Sequence, residues 1–170
     1  LGAALGLIPQ EENFYKGDYI RVWAKKRSAF VKQNIKKPLE IGQAAAKDFL
    51  GKIQLVLENK AGICFDRYTS EKRDIHKKDF PNKILKIFRS KKLAYTKEGA
   101  LWLKTRKFRD DKDRVLITSE GEPTYFLADI AYHYDKLIKR KFDKAINIWG
   151  ADHHGYVTRL KSGVQAIGAD

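Results

Sequence analysis

The sequence is poor in the residues that mark secreted or membrane proteins. It has a single cysteine, Cys64, so no disulfide can form within the chain. This favours a reducing setting, and we predict a cytoplasmic protein. The sequence also has no recognisable secretory signal and no apolar run long enough to cross a bilayer. We therefore expect no membrane partner.

Methionine is missing altogether, and the chain begins at Leu1. Because a natural gene product begins with Met, we expect an excised piece of a longer protein or a chain with parts missing. The 170 residues are enough for one domain with a core of its own. The oligomeric state does not follow from the sequence.

Acidic residues are outnumbered, with 21 Asp and Glu against 35 Lys and Arg, a net charge of +14. Such an excess predicts a polyanionic partner, nucleic acid first, although a solvated basic surface without a partner has the same composition. Basic side chains are densest between Lys72 and Lys92. Lys77 and Lys78 in that stretch are our candidates for RNA contact.

Apolar periodicity predicts helices first and then alternating strands and helices, which indicates an α/β fold with a parallel sheet. We expect a helical insertion over residues 1–62 and the second half of the sheet domain over residues 63–170. The latter carries a hairpin insertion at about residues 91–118, where Lys97-Glu98-Gly99 separates two apolar runs.

The individual elements follow from the same patterns and their capping residues. The predicted helices begin at Asp18 and Pro81 and cover residues 39–60 and 124–141, and the predicted strands cover residues 63–68, 114–118 and 145–149. In the helix over residues 39–60, the stripe expected to pack comprises Ala46, Leu50, Ile53 and Leu57.

A polar cluster follows the last predicted strand, where Gly150, Asp152, His153 and His154 precede an amphipathic helix. In open α/β sheets ligands bind beyond the carboxyl ends of strands, so this position suits a binding site. A second polar feature is a stripe at helical spacing, with Asp129 between the phenols of Tyr125 and Tyr132 and with Lys136 further on. A carboxylate there needs a cation or several donors if it is buried, and it is unremarkable if it faces water.

Three strings in this order resemble the arginyl-tRNA synthetase family. They are Phe-Asp-Arg-Tyr-Thr-Ser-Glu over residues 65–71, Tyr-Phe-Leu-Ala-Asp-Ile-Ala-Tyr-His over residues 125–133, and Trp-Gly-Ala-Asp-His-His-Gly-Tyr over residues 149–156. The resemblance implies a class I aminoacyl-tRNA synthetase with a Rossmann-like catalytic domain. Such an enzyme activates L-arginine with ATP and Mg²⁺ and esterifies tRNA(Arg).

The resemblance also implies roles for particular residues. Glu71, Tyr125 and Asp129 would line the arginine pocket, and carboxylates and a phenol suit a planar, always charged guanidinium. Gly150, Asp152 and His153 would lie at the ATP ribose, with Asp152 and His153 nearest the reacting groups. No resident metal site is expected in the chain.

The sequence departs from the family in lacking the His-Ile-Gly-His and Lys-Met-Ser-Lys-Ser motifs and the anticodon-binding domain. We therefore predict the middle of a catalytic domain, inactive by itself. Two alternatives stay open: a metal-dependent phosphoesterase of the Asp-His-His type, built on residues 152–154, and a non-catalytic RNA-binding module, suggested by the charge.

Overall fold

The computed structural model describes residues 1–9, 12 and 17–169, and it divides into two compact units, Leu1–Asp66 and Arg67–Asp170. The sequence-based boundary lay after residue 62. The predicted loop over residues 1–17 falls partly outside the described residues. Of the part that is described, Ala3–Leu5 form a turn of 3₁₀ helix. No helix in the described ranges is both long and apolar enough to span a membrane.

The first unit is helical, with α1 at Asp18–Lys26, α2 at Ser28–Gln33 and α3 at Pro38–Ala61. Its small core joins Trp23 and Val31 to Ile41 and Ala45 of α3. The Trp23 indole Nε1–H donates to the Asp48 carboxylate at 3.0 Å, which fixes α1 to α3. Gly17 occupies the position before α1, which begins at Asp18 as predicted, and Pro38 begins α3.

The packing stripe of α3 is therefore not the predicted one. Ile41 and Ala45 are buried, whereas Leu50 and Ile53 of the predicted stripe are 48% and 54% exposed. The apolar residues of α3 are spread around the helix, so several stripes fit the sequence equally well. Only the position of α1 selects among them, and periodicity within one helix does not contain that information.

The second unit packs three helices, α4 at Phe80–Ser90, α5 at Tyr125–His133 and α6 at Tyr156–Ile167, against a small sheet. Shorter helical segments cover Glu71–His76, Thr105–Phe108, Tyr134–Lys139 and Ala151–His153. The core is formed by fully buried aliphatic and aromatic side chains: Ile84, Phe88, Leu103, Leu116, Leu127 and Ile130. The predicted helices beginning at Pro81 and Thr124 are confirmed, with starts within one residue of the predicted positions.

The sheet consists of β1 at Ala94–Lys97, β2 at Ala100–Leu103 and β3 at Arg114–Ile117, in that order and antiparallel. The predicted hairpin and the strand near residues 114–118 are confirmed. Glu98 and Gly99 have φ of 52° and 75°, the left-handed backbone that a two-residue hairpin turn requires. Tyr95 lies opposite Trp102, so both side chains project from one face of the hairpin.

Two predicted strands, and the parallel sheet to which they would belong, are not present in the described residues. Residues 63–68 and 145–149 pair with no strand in the described ranges, and Ile146 and Ile148 are 76% and 92% exposed. A strand is held by hydrogen bonds to a neighbouring strand. A run of strand-forming residues creates the pattern of a strand without supplying that neighbour, so neither segment forms a strand in the described ranges.

Helices α5 and α6 approach closely at Gly163. A β-carbon at this position would lie 2.7 Å from the side chain of Ile130 and 3.1 Å from that of Phe126. Because Ile130 is fully buried, it has no room to yield. The absence of a side chain at Gly163 thus sets the distance between the two helices that carry the site described next.

Candidate functional site

A cavity of about 870 Å³ opens in the second unit between the sheet and the two helices α5 and α6. Trp102 and Val115 line it from the sheet, and Asp129 lines it from α5. Its remaining walls come from residues around β3, the start of α5 and the region of α6: Lys112, Asp113, Arg114, Thr124, Tyr125, Phe126, Trp149, His153, Tyr156 and Arg159. The cavity therefore has aromatic walls with charged groups at several points.

Asp129 is the acidic group of this cavity whose charge is least compensated. The residue is half-buried, and the Tyr156 hydroxyl donates to its Oδ2 at 2.6 Å. No basic side chain in the described residues forms an ion pair with it. A half-buried carboxylate with one phenol donor and no cation is suited to bind a cationic group from a ligand.

Tyr156 remains a hydrogen-bond donor because its surroundings keep it protonated. Burial, followed by the hydrogen bond to Asp129, raises the pKa of the Tyr156 phenol well above its ordinary value of 10.0. Trp149 packs edge-on against Tyr156 with ring centres 5.5 Å apart, and the Arg159 guanidinium lies 5.1 Å from the Tyr156 ring centre. These contacts hold the phenol against Asp129.

Arg159 is a site residue that the sequence patterns missed. It lines the cavity, and its Nε is buried without a hydrogen-bond partner in the described part of the chain. Its position three residues after Tyr156 puts both side chains on one face of α6, and that spacing was the signal available in the sequence. A cation here can bind the carboxylate or phosphate end of a ligand whose cationic end lies at Asp129.

The other charges on the cavity wall are largely satisfied within the protein. Arg114 is paired with Asp110 and with Asp111. Asp113 accepts a hydrogen bond from the Tyr95 hydroxyl at 3.0 Å. Asp129 and Arg159 are thus opposite charges without an ion-pair partner among the described residues, and the exposed Lys112 is a further cation on the cavity wall.

The structure brings some of the predicted site residues together and leaves others out. Tyr125, Asp129 and His153 all line the cavity, with Tyr125 85% exposed at its mouth. Asp152 is close to His153, with 3.6 Å between a carboxylate oxygen and Nε2, but its side chain points to solvent and does not line the cavity. Gly150 precedes the short helix Ala151–His153 and positions both residues.

Glu71 does not share this cavity. Its carboxylate lies 2.9 Å from Nε2 of His76, within the segment Glu71–His76, and it is absent from the cavity lining. A weak hydrogen bond of 3.5 Å from the Tyr132 hydroxyl to Thr69 links this region to α5. Lys77 and Lys78 follow directly after this segment and are exposed to solvent on its surface.

A hydrogen-bond network around the buried His133 joins α5 to the segment that carries Trp149. His133 donates from Nδ1 to the Asp129 carbonyl at 2.8 Å, and its Nε2 accepts from Asn147 at 3.0 Å. Lys136 donates to His133 Nε2 and to the Asn147 side-chain oxygen, both at 3.3 Å. Lys136 was considered from the sequence as the partner of Asp129, and the structure instead assigns it to this network.

The second unit should lose stability in mild acid because of His133. Burial lowers the pKa of His133 below its ordinary value of 6.5, so the unfolded chain binds the proton more tightly than the folded one. The contribution of neutral His133 is therefore fully present above pH 6.5 and declines as the pH falls below it. Urea unfolding of a Trp23→Phe background, whose fluorescence reports the second unit, will show this decline.

Two matched variants identify the residue responsible for the loss of stability in mild acid. His133→Gln should remove that part of the pH dependence, while His76→Gln, at an exposed site, should retain it. An unchanged pH profile in His133→Gln would contradict the assignment.

Comparison with known proteins identifies the family of the chain. Residues 11–170 match the family described as tRNA synthetases class I (R), catalytic domain. The chain belongs to this family, the class I synthetase catalytic domains of the arginine type, and its fold is accordingly that domain's, here helices with a small antiparallel sheet.

Several similar relatives are named arginine–tRNA ligases. One from Nitratiruptor is 39% identical over 165 residues, covering 95% of this chain and 30% of the relative, and one from Geobacter is 41% identical, covering 94% and 29%. A crystal structure from Campylobacter jejuni described as an arginyl-tRNA synthetase superposes with a TM-score of 0.84 at 36% identity, covering 99% of this chain and 38% of that one. The chain thus spans about a third of its relatives' length.

Proposed function

We propose that this chain is the part of an arginine–tRNA ligase that binds L-arginine and the adenylate formed from ATP, within a longer protein that transfers arginine to tRNA(Arg). The observation that carries the proposal is Asp129, a half-buried carboxylate on an aromatic cavity wall that forms no ion pair with any described residue. A guanidinium supplies that cation and offers parallel N–H donors to the two carboxylate oxygens.

The ligand's two ends determine its orientation in the cavity. The guanidinium would lie at Asp129 with Tyr125 over it, and the carboxylate or the adenylate phosphate would lie toward Arg159. His153 then faces the reacting end as a hydrogen-bond donor or acceptor, with Asp152 beside it and Gly150 leaving room for the ribose. Mg²⁺ would be carried by the ATP phosphates, as is usual for this ion.

Glu71 is a proposed second carboxylate for arginine. Its pair with His76 would have to open before it could reach a ligand in the cavity. Lys77 and Lys78 are proposed to contact the tRNA backbone, where exposed lysines attract phosphates through charge.

We further propose that residues 63–68 and 145–149 become parallel strands of a Rossmann-like sheet in the longer protein. Residues 145–149 alternate in sequence, and neither segment forms a strand in the part of the chain that the structure describes. Pairing would cover Ile146 and Ile148, which are now exposed.

The cytoplasm is the compartment in which such an enzyme and its tRNA would meet.

The phosphoesterase alternative has no support in this geometry. It requires several metal ligands around residues 152–154, and no group of three His, Cys, Asp or Glu side chains converges anywhere in the described ranges. The synthetase proposal already includes RNA binding, because in it the basic surface binds a tRNA substrate.

The longer protein should charge tRNA with arginine in the presence of ATP and Mg²⁺, and this 170-residue chain should not. Lysine should be rejected by a factor on the order of 10⁴, because it leaves part of a site built for a guanidinium unpaired. The assay is acid-precipitable aminoacyl-tRNA with each amino acid in turn. Charging by the isolated chain, or equal charging with lysine, would overturn the proposal.

A further inference from the structure

His133 is a buried histidine that the proposed function does not use. It ends α5, is only 5% exposed, and lies four residues after Asp129 on the same helix. Its Nδ1 faces the Asp129 carbonyl, and its Nε2 faces the side chains of Asn147 and Lys136. These neighbours decide which of the two ring nitrogens carries the proton.

The hydrogen bonds of His133 define one neutral form of the ring. A carbonyl oxygen only accepts, so Nδ1 must carry the proton that it donates to Asp129 at 2.8 Å. An ammonium group only donates, so Nε2 accepts from Lys136 at 3.3 Å, and the Asn147 amide donates to the same nitrogen at 3.0 Å. The Lys136 ammonium also donates to the Asn147 side-chain oxygen, which fixes the orientation of that amide.

The surroundings of His133 favour this neutral form. Burial lowers the pKa of His133 below its ordinary value of 6.5, the hydrogen bond to the Asp129 carbonyl opposes that shift, and the Lys136 charge adds to it. The smallest effect is that of the Asp129 charge, which raises the pKa. Three further charged side chains line the same cavity of about 710 Å³ as His133: Asp143, Lys144 and Lys161. A proton added at Nε2 would face two donors, the Asn147 amide and the Lys136 ammonium, and would break both hydrogen bonds.

Asn147 connects this ring to the cavity around Asp129, which we call the arginine site. Asn147 lies two residues before Trp149, and Trp149 lines that cavity. Within the described part of the chain, residues 143–149 form no backbone–backbone hydrogen bond, and the side-chain hydrogen bonds of this segment are the two made by Asn147. The Asn147 side chain is therefore the hydrogen-bonded link between this segment and α5.

Trp149 in turn contacts the residue that orients the Asp129 carboxylate. Its ring packs edge-on against Tyr156 with ring centres 5.5 Å apart, and the Tyr156 hydroxyl donates to the Asp129 carboxylate at 2.6 Å. The contacts thus run from the Asp129 carbonyl through His133 and Asn147 to the segment that carries Trp149. From there they return through Tyr156 to the Asp129 side chain.

We propose that His133 and Asn147 are positioning residues of the arginine site, which hold Trp149 in its wall and thereby keep Tyr156 against Asp129. Neither His133 nor Asn147 lines the cavity, so both act without touching the ligand. The hold requires a neutral imidazole, and arginine affinity therefore depends on the protonation of a residue outside the cavity. The effect on arginine rests on the proposed function, whereas the hold on Trp149 does not.

The hold on Trp149 is tested in this chain without arginine. In a Trp23→Phe/Trp102→Phe background, Trp149 is the only tryptophan, and acrylamide quenching of its fluorescence reports its exposure. Asn147→Ala should raise the quenching constant about twofold at about pH 8, because the segment loses its link to α5. Gln165→Ala removes an amide from the wall of the same 710 Å³ cavity, outside the network, and should leave quenching unchanged. Equal quenching in the two variants would refute the hold.

The effect on arginine is tested in the longer protein by isothermal titration at about pH 8 and about pH 5.5, on either side of the ordinary histidine pKa. Asn147→Ala should weaken arginine binding about fivefold at the higher pH, the effect of one lost hydrogen bond, and Gln165→Ala should leave it within about twofold. The wild-type affinity should decline toward the lower pH, and Asn147→Ala should lack this decline because its network is already open.

Variants of His133 separate positioning from a general loss of structure. His133→Gln supplies an amide donor and an acceptor that do not titrate, so it should keep arginine affinity within about threefold at about pH 8 and remove the decline in acid. His133→Leu, which supplies neither, should bind arginine about tenfold more weakly at both pH values. A decline in acid that persists in both His133→Gln and Asn147→Ala would overturn the proposal, because another group would then be responsible.

The two proposals fail in different ways. If the wild-type longer protein does not bind arginine, the proposed function is refuted, and the quenching result for Trp149 in this chain still stands. If the wild type binds arginine but Asn147→Ala and Gln165→Ala bind it equally well, the proposed function stands and the positioning role is refuted.

Discussion

Asp129→Asn in the longer protein will weaken arginine binding by about 2–5 kcal/mol, the cost of removing one partner of a hydrogen-bonded charge pair. The change keeps the shape of the side chain and its ability to accept from Tyr156, so the loss reports charge and not packing. Isothermal titration with arginine will measure it. Citrulline, which has the shape of arginine without its charge, should bind equally weakly to both proteins.

Two further variants show whether the effect belongs to Asp129 alone. Glu122→Gln, at an exposed turn, should leave the affinity within about 0.5 kcal/mol. Tyr156→Phe should cost about 1 kcal/mol, the net value of a single hydrogen bond that orients the carboxylate. Arginine affinity unchanged in Asp129→Asn would remove the basis of the proposed function.

Arg114→Met will destabilise the second unit by about 3–5 kcal/mol, because it leaves a buried carboxylate without its cation. Arg114 donates two hydrogen bonds of 2.8 Å to Asp110, and their side chains are only 12% and 2% exposed. Urea unfolding in the Trp23→Phe background will measure the loss. Lys97→Met, which breaks the exposed pair with Glu98, should change stability by less than about 1 kcal/mol.

The same pair contributes to the response of the unit to strong acid. Hydrogen bonds from Arg114 lower the pKa of Asp110 from 3.8 to about 2. The stability contributed by the ionised carboxylate is therefore present above pH 3.8 and is lost as the pH falls through about 2. The hydrogen bond from Arg73 also lowers the pKa of Asp74 to about 2, so Asp110→Asn should reduce this acid-dependent step and Asp110→Asn/Asp74→Asn should remove it. A step of unchanged size in Asp110→Asn would show that Asp110 does not contribute to it.

Local patterns predicted the elements whose stability is local. The Lys97-Glu98-Gly99 turn specifies a two-residue hairpin by its backbone preference, and the structure has that hairpin. Pro81 and Thr124 mark helix starts, and the apolar residues after them form the core of the second unit. In these elements a few neighbouring residues determine the secondary structure.

Elements that depend on distant partners were not predictable in the same way. Residues 145–149 alternate like a strand, but a strand requires a neighbour, and the described residues provide none. The buried stripe of α3 depends on where Trp23 of another helix lies.

For the site, Asp129, Tyr125 and His153 were foreseen from their strings and do line one cavity. Trp102 and Val115 also line this cavity but come from another part of the chain. Their place in the site could be found only once the fold was known.

The close approach at Gly163 has a consequence for how this domain can vary. Tyr156 and Arg159 lie on the same helix as Gly163, so any methyl group added there would lift α6 and carry both side chains away from Asp129. The width of the pocket thus depends on the missing side chain at Gly163, which lies about one helical turn from Arg159. Gly163→Ala would therefore reduce the selectivity of the pocket for its ligand before it reduced the stability of the fold.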